Sequence, residues 1–384
     1  MSNTLGYYNP VFYAQEALIQ LEKALGMGAR VHRGYDAERR TFNKGEIINI
    51  KKPSTFTVAD APATAEDLAT SGVQITLNKW REVKFKLSDK ELSFTGEEII
   101  NQHIRPAVYA LADDIDQSLC ALYADIPWFF DIASTSAVDD ITGTREVLFN
   151  NNVPLNDPAS LHYMVGGAFE RGLLNLSAFS QNQGAGDLGV NTQLRGSLGT
   201  KFGLEIFANQ NTPSHTAGTC ADAVGAIDSG ATGYLKGVTT IHIDGVTDGG
   251  NWAVGDSFVI AGNTQRYAVT TAVTFTGGEG DVVFTPPLVA DVLEDVVVTG
   301  RVDSHKANLA FHKNAFAIAT GMLPDSIPNQ LGAKVASVQD PKSGLSLRSR
   351  MYYVGNSSEV HVALDVLYGV KTLDPNLACR GCGA

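Results

Sequence analysis

Long apolar runs and an export signal are both absent from the 384 residues of this chain. No stretch reaches the roughly 18 apolar residues that a membrane-spanning helix needs. The first ten residues, MSNTLGYYNP, contain neither the basic region nor the apolar core of a signal peptide. We therefore expect the protein to be made in the cytosol and not to associate with a membrane.

Basic residues are also scarce. The chain has 29 Lys and Arg against 41 Asp and Glu, a formal net charge of −12. This balance argues against a surface that grips nucleic acid, but it does not exclude enclosing nucleic acid without tight binding. The 44% hydrophobic and 18% charged residues are typical of a folded protein, and the length predicts two or three domains.

Cysteine is rare, which excludes a disulfide framework. The four cysteines are Cys120, Cys220, Cys379 and Cys382. Cys120 falls in a helical pattern and is interpreted as a small buried apolar residue. Cys379 and Cys382 have CxxC spacing, but a structural zinc site needs two more ligands. The sequence therefore favours a frayed tail with free thiols over a metal or redox site.

Signatures of catalysis are missing too. The eight histidines form no HExxH motif, and no GxSxG marks a nucleophile elbow. Gly184–Gly189 spells GxGxxG, but a polar stretch precedes it and no helix pattern follows, so we interpret it as a mobile loop. The sequence leaves open whether residues that are distant in the chain form a catalytic triad in space. We predict no enzyme activity, no catalytic residue, no cofactor and no metal ion.

A long amphipathic helix is the strongest pattern present, predicted over Thr95–Tyr123. It starts with a capping box at Thr95–Glu98, and Pro127 follows its end. Pro106 should kink it. The apolar stripe comprises Ile100, Ile104, Val108, Leu111, Ile115, Leu119 and Leu122. Three acidic residues, Asp113, Asp114 and Asp116, lie off the stripe and are expected to face water or a partner.

Other periodicities outline the rest of the chain. Asn9-Pro10 begins a helix that ends near Leu25. Strand patterns between Lys44 and Leu92 predict a long two-stranded excursion with a flexible tip. Further patterns predict helices at Pro154–Leu176 and Asn314–Thr320, strands at Leu204–Phe207, Leu345–Val354 and Glu359–Leu373, and an all-β barrel or sandwich at Tyr234–Val298. The β unit reads as an insertion into a discontinuous domain.

The order of these parts resembles the major capsid (coat) protein of tailed bacteriophages, in particular the short-tailed Salmonella-phage coat type with an inserted β domain. The segments that carry the resemblance span nearly the whole chain. They are Asn9-Pro10, Lys44–Pro53, Arg105–Ala107 with Ile115-Asp116, Gly203–Phe207 with Asn211–Pro213, Trp252–Asp256, His312–Phe316 and Leu367–Lys371.

The resemblance implies an α+β Hong Kong 97-type capsid fold. The implied parts are an N-terminal arm (1–40), an extended β-hairpin loop (41–92), a peripheral domain with the spine helix (93–183), an axial domain (184–212 and 304–371), an inserted barrel-like domain (213–303) and a C-terminal tail (372–384).

The same resemblance implies self-assembly into hexamers and pentamers of an icosahedral head around double-stranded DNA. Scaffolding and portal proteins would be partners, and assembly would take place in the host bacterial cytoplasm. The candidate intersubunit contacts are Lys51, Lys52, Phe56, Trp80, Arg81, Lys84, Asp113, Asp114 and Asp116. The basic residues of the loop, Lys86 included, would meet acidic spine positions of a neighbour. The alternative is a β-rich ligand- or surface-binding protein without catalysis.

Overall fold

The computed structural model describes most of the chain. The described residues are 14–15, 17, 25–33, 47–51, 60–61, 72–88, 104–132, 137–180, 192–220, 223–230, 232–300, 303–323, 334–339 and 346–383. Several predictions lie outside them: the capping box at Thr95–Glu98, the GxGxxG segment, and most of the N-terminal helix.

The named elements of the described part are four α-helices, twenty-two strands and five short 3-10 helices. The helices are α1 (Arg105–Cys120), α2 (Asp139–Asn150), α3 (Gly167–Leu174) and α4 (Ser177–Ser180). The strands are β1 (Ile47–Lys51), β2 (Gly72–Thr76), β3 (Lys79–Ser88), β4 (Phe129–Asp131), β5 (Leu161–Val165), β6 (Gly199–Lys201), β7 (Leu204–Ala208), β8 (Ser214–His215), β9 (Val224–Ile227), β10 (Thr240–Asp244), β11 (Asn251–Trp252), β12 (Ser257–Ile260), β13 (Arg266–Val269), β14 (Val273–Thr274), β15 (Gly280–Thr285), β16 (Val297–Gly300), β17 (His305–His312), β18 (Phe316–Gly321), β19 (Lys334–Gln339), β20 (Ser346–Val354), β21 (Glu359–Thr372) and β22 (Ala378–Gly383). None of the described helices is both long and apolar enough to span a membrane.

The chain divides into two compact units. The first comprises Met1–Leu119 and Phe316–Leu373, and the second comprises Cys120–Ala315 and Asp374–Ala384. The resemblance implies that residues 204–208 and 316–321 share one axial domain, and β7 and β18 fall in different compact units. Pairing between distant strands sets this division, and such pairing leaves no mark on local sequence patterns. The implied domain boundaries stay a prediction.

In the first unit, β21 is the central strand of a five-stranded sheet. The sheet runs β18-β21-β20-β19, and β3 also pairs with β21. β1 and β2 form a separate antiparallel pair, with Ile48 opposite Ile75. The strand pattern at Val83–Leu87, which also lies between Lys44 and Leu92, falls in β3, and β3 is hydrogen-bonded to β21 over ten residues.

Most of the predicted stripe is buried where it is described, whereas Leu122 lies beyond α1 in a 3-10 turn and is half-buried. Ile104, Val108, Leu111, Ile115 and Leu119 are all at most 2% exposed, which confirms that this face packs inward. The described helix begins at Arg105, so Pro106 lies in its first turn. The predicted kink lies at the border of the described residues and stays a prediction.

The second unit contains a seven-stranded mixed sheet. Its order is β4-β22-β17-β5-β7-β6, and β8 also pairs with β17. The prediction of a helix over Pro154–Leu176 is partly wrong, because residues 161–165 form β5 and only residues 167–174 form α3. Every residue of β5 is buried. An apolar run buried on both faces has no alternation, so its pattern does not separate a strand from a helix.

The predicted helix at Asn314–Thr320 is wrong for the same reason. Residues 313–315 form a short 3-10 turn, and β18 follows with all six residues buried. The strand expected at Leu204–Phe207 is confirmed as β7.

The β-rich segment forms a closed barrel of the order β10-β15-β13-β12-β16-β9. Its core holds stacked and edge-on aromatic rings, with Phe258 5.5 Å from Trp252 and 5.5 Å from Tyr267 between ring centroids. The strands that flank the barrel pair with each other, so that His215 of β8 is opposite His305 of β17. The barrel therefore leaves and rejoins the sheet at one place.

Candidate assembly surfaces

The predicted contact residues fall in three places within the first unit. Lys51 ends β1 and is exposed. Trp80, Arg81 and Lys84 lie on β3. Asp113, Asp114 and Asp116 lie on α1. Lys52 and Phe56 lie outside the described residues.

Asp116 is the clearest correction among them. The prediction that it faces water or a partner is wrong, because only 4% of the residue is exposed. Its Oδ1 accepts hydrogen bonds from the backbone N–H groups of Met27 at 2.7 Å and Gly28 at 3.2 Å. Asp116 therefore holds the turn at Met27–Ala29 against α1 and is not a candidate for contact with another subunit.

Asp114 and Arg81 belong to a polar cluster that joins α1, β3 and β21. Arg81 Nε donates to Asp114 Oδ2 at 3.1 Å, and the Tyr368 hydroxyl donates to the same oxygen at 2.6 Å. Burial raises the pKa of Tyr368 to about 12, so its hydroxyl stays a donor at neutral pH. The Asp114 carboxylate raises the pKa of Arg81. Arg81 is thus already paired within its own chain.

Lys79 extends this cluster below the surface. Its Nζ lies 2.8 Å from Ser118 Oγ, and Ser118 Oγ lies 3.0 Å from the Tyr368 hydroxyl. Burial lowers the pKa of Lys79. No local sequence pattern connects these residues, because Tyr368 is 250 positions from Ser118.

Trp80 is held by a buried carboxylate. Its indole Nε1 donates to Asp365 Oδ2 at 3.1 Å, while 57% of the residue remains exposed. Arg348 grips the same carboxylate in a bidentate pair, with Nε 3.0 Å from Oδ1 and Nη2 2.5 Å from Oδ2. A large aromatic ring fixed at one edge and open to solvent is typical of an anchor in a protein interface, because little side-chain freedom remains to be lost on binding.

The lysines of β3 contact the neighbouring strands. Lys86 Nζ lies 2.7 Å from Glu359 Oε1, and Lys84 Nζ lies 5.1 Å from the centroid of the Tyr352 ring. An exposed pair such as Lys86–Glu359 adds little to stability, because solvent screens the attraction between the two charges. The hypothesis that these residues meet acidic positions of another subunit stays a prediction, and it now competes with contacts inside the chain.

The cysteine-containing tail is not frayed. Residues 378–383 form β22, which lies between β17 and β4 in the seven-stranded sheet. Burial raises the pKa of Cys379, and it raises the pKa of Cys382 to about 12. Neutral thiols that are shielded from solvent are poor nucleophiles and poor metal ligands. We therefore interpret these two cysteines as packing residues of the sheet.

A buried polar cluster lies where the barrel joins the sheet of the second unit. His215 Nε2 donates to Asp256 Oδ1 at 2.9 Å, and the Tyr123 hydroxyl is 3.3 Å from His215 Nδ1. Arg380 of β22 is fully buried, and its Nη1 donates to the backbone oxygen of Gly255 at 2.8 Å. Sequence reasoning missed this cluster because its members are spread over more than 250 positions.

His305 is part of the same cluster. Its Nδ1 donates to the backbone oxygen of Asp303 at 2.6 Å, and its ring centroid is 5.1 Å from that of His215. Burial, with the nearby positive charge of Arg380, lowers the pKa of His305 to about 4. The imidazole is therefore neutral at physiological pH.

Comparison with solved structures reveals a shared fold. A chain from Mycobacterium phage Che8 is similar with a TM-score of 0.50 and 14% identity, over 93% of this chain and 90% of that one. At this identity the likeness establishes the fold alone.

Two further chains align at lower scores. One is from the capsid of cyanophage P-SCSP1u, with a TM-score of 0.44 and 13% identity over 90% of this chain and 85% of that one. The other is from the mature capsid of bacteriophage PhiM1, with a TM-score of 0.45 and 12% identity over 89% and 83%. Both scores are below the level that indicates a common fold. No protein-family model matches the sequence. No curated protein matches it either.

Proposed function

We propose that this chain is a phage major capsid protein that self-assembles into the hexamers and pentamers of an icosahedral head enclosing double-stranded DNA. The observation that carries the proposal is the fold shared with the Mycobacterium phage Che8 chain over nearly the full length of both. The order of sequence segments that resembles the coat proteins of tailed phages agrees with it. In this function the protein is structural and requires neither a cofactor nor a catalytic residue.

The surfaces of the first unit suit such a role. Trp80 presents a fixed aromatic ring, and the β1–β2 pair carries exposed residues on alternate positions. A subunit of a closed shell needs contacts of this kind at its edges, and the fixed ring reduces the entropy lost on binding.

We propose a division of the shell subunit that follows the two compact units. The first unit would carry the arm, the extended loop at 41–92 and the spine helix, and would form the peripheral domain. The second unit would form the axial domain, with the barrel as its insertion between about 213 and 303. The pairing of β8 with β17 supports the insertion, because it brings the two ends of the barrel together.

The partners follow from the same role. A scaffolding protein and a portal protein would guide assembly in the host bacterial cytoplasm, and the virion would be the final location. The formal net charge of −12 suits a container, because an acidic protein does not hold DNA tightly by phosphate contacts. DNA would be enclosed without sequence-specific binding.

Light scattering and negative-stain microscopy on the purified full-length protein test the proposal. The protein is produced alone and then together with a candidate scaffolding protein encoded beside it. Closed shells, or rings of five and six subunits, are the expected result. A 40.9 kDa monomer in both preparations would contradict the proposal.

A charge-reversal variant tests the contact surface. We expect K51E/K52E to reduce the yield of shells at least tenfold while leaving the thermal unfolding temperature of the subunit unchanged, because Lys51 is exposed at a strand end. The matched control is K236E/K313E, which makes the same charge change at two exposed lysines in the second unit. Normal shell yield from K51E/K52E, or equal loss in both variants, would remove the loop lysines from the interface.

A further inference from the structure

Three side chains that commonly bind metal ions converge at one end of the barrel. Asp228, His242 and Glu279 each offer a ligand atom, and these atoms lie within 4.8 Å of one another. Two ligands of a tetrahedral zinc ion, each about 2.0–2.2 Å from the metal, are separated by roughly 3.3 Å. His242 Nε2 and Glu279 Oε2 are 3.9 Å apart, so a small side-chain rotation brings both into range.

The backbone of the barrel fixes where these residues stand. Asp228 directly follows β9, and its N–H donates to the backbone oxygen of His242 at 3.1 Å. Glu279 closes the tight turn before β15 by pairing with Thr276. The three residues therefore lie on or directly beside three adjacent strands of the barrel, β9, β10 and β15.

A fourth residue orients the imidazole. Asp281 is directly opposite His242 in the β10–β15 register, and its Oδ1 is 2.7 Å from His242 Nδ1. Because the carboxylate accepts, Nδ1 carries the hydrogen and Nε2 is left as a lone-pair donor toward Glu279. A histidine that binds a metal ion through one nitrogen commonly donates its other N–H to a carboxylate in this way.

The charge around the site also favours a cation. Three carboxylates, from Asp228, Glu279 and Asp281, surround one imidazole. Among the described residues no lysine or arginine forms an ion pair with any of the three. The side chains are accessible, with 60% of Glu279 and 30% of His242 exposed. A divalent ion would offset this excess negative charge.

We propose that this end of the barrel binds a zinc ion through His242 Nε2 and carboxylate oxygens of Asp228 and Glu279. Asp281 is the positioning residue, and water completes the coordination. Zinc fits this set of one nitrogen and two oxygens, whereas magnesium and calcium prefer oxygen alone. The bound ion would connect β9, β10 and β15. This site does not depend on the assembly function and would exist in the isolated subunit.

Metal titration of the untagged, full-length protein tests the site. Isothermal calorimetry with Zn²⁺ measures affinity, and the visible absorption of Co²⁺ reports nitrogen and oxygen ligation directly. We expect H242Q to lose at least tenfold in affinity, together with the cobalt spectrum. D281N should bind 10–100-fold more weakly, the range found when the partner of a metal-bound histidine is removed.

The control is E205Q. It removes the carboxylate from a different histidine–carboxylate pair, in which His162 Nδ1 and Glu205 Oε2 are 2.8 Å apart. E205Q should bind zinc as the wild type does. Because ligand binding to the native state raises stability, Zn²⁺ relative to EDTA should also raise the unfolding temperature of the wild type and not of H242Q. Unchanged zinc affinity and cobalt spectrum in H242Q, or no zinc binding by the folded wild type, would overturn the proposal.

Discussion

Three buried charged side chains, those of Asp116, Asp365 and Arg380, have partners far away in the sequence. Asp116 accepts from the backbone of residues 27 and 28, Asp365 binds Arg348 and Trp80, and Arg380 donates to Gly255. A buried charge without such partners costs several kcal/mol. At the scale of single residues, these groups therefore specify how distant segments must meet.

The neutral, half-buried His305 should make stability depend on pH. In the unfolded chain its pKa is near 6.5, and in the native state it is about 4. As the pH falls from 6.5 to 4, only the unfolded state takes up the proton, so the free energy of unfolding decreases by up to roughly 3 kcal/mol. Below pH 4 both states are protonated and this loss levels off.

Urea denaturation of the wild type and H305Q between pH 4 and 8 measures this contribution. H305Q should lose less stability on acidification than the wild type. Burial also lowers the pKa of His312. His312 is present in both proteins, so its contribution cancels when the two stability curves are subtracted. Parallel curves for the two proteins would show that His305 does not cause the dependence.

At the scale of elements, Asp116 joins α1 to the turn at Met27–Ala29. Replacing it with alanine removes the acceptor of two buried N–H groups. We expect D116A to lower the free energy of unfolding by about 3–6 kcal/mol, since each of the two hydrogen bonds to the charged group contributes about 1.5–3 kcal/mol. Chemical denaturation followed by circular dichroism gives this value.

Asp113 on the same helix supplies the control. It is exposed and accepts from Gln117 at 2.8 Å, so D113A makes the same change in helix propensity at a solvated position. The expected change in the free energy of unfolding is within about 0.5 kcal/mol. Equal effects of the two variants would mean that the bonds to residues 27 and 28 contribute nothing to stability.

The strand at the C-terminus makes a second prediction for elements. A Cβ at Gly381 of β22 would overlap the Tyr163 hydroxyl and lie 2.7 Å from Ile132 Cδ1. We therefore expect G381A to cost about 1–3 kcal/mol through overpacking. Thermal unfolding measures it against G355A, which adds the same methyl group where no atom lies within 4 Å. A thermal unfolding temperature for G381A equal to that of G355A would indicate a tail that is loosely attached.

Hydrophobic periodicity predicted some elements correctly and assigned the wrong secondary structure to others. The stripe of α1 was visible because one face is buried and the other is exposed. β5 and β18 were mistaken for helix because every residue in them is buried, so neither alternation nor a stripe remains. The C-terminal strand was missed because its glycines and cysteines carry little strand propensity, although they fit a crowded sheet.

At the scale of the whole molecule, the barrel was predictable from the sequence and the division into two compact units was not. Short alternating strands between turn dipeptides marked the barrel locally. The five-stranded sheet instead depends on pairing of Glu359 with Ser88, some 270 positions apart, and no local pattern encodes that. The assembly candidates show the same limit: Trp80 was nominated from sequence, but its supports Asp365 and Arg348 were not.

The two ends of the barrel lie close together, so the sheet offers a site where another domain can be inserted. Pro213 and Ala307 are joined by a backbone hydrogen bond of 3.0 Å, so a foreign domain whose termini are close together has the geometry to be spliced there in place of the barrel. Simple excision has a cost, because Arg380 Nη1 would lose the Gly255 carbonyl that accepts its hydrogen bond. A display platform built on this chain therefore needs an apolar residue at position 380 or cargo that supplies a carbonyl oxygen in its place.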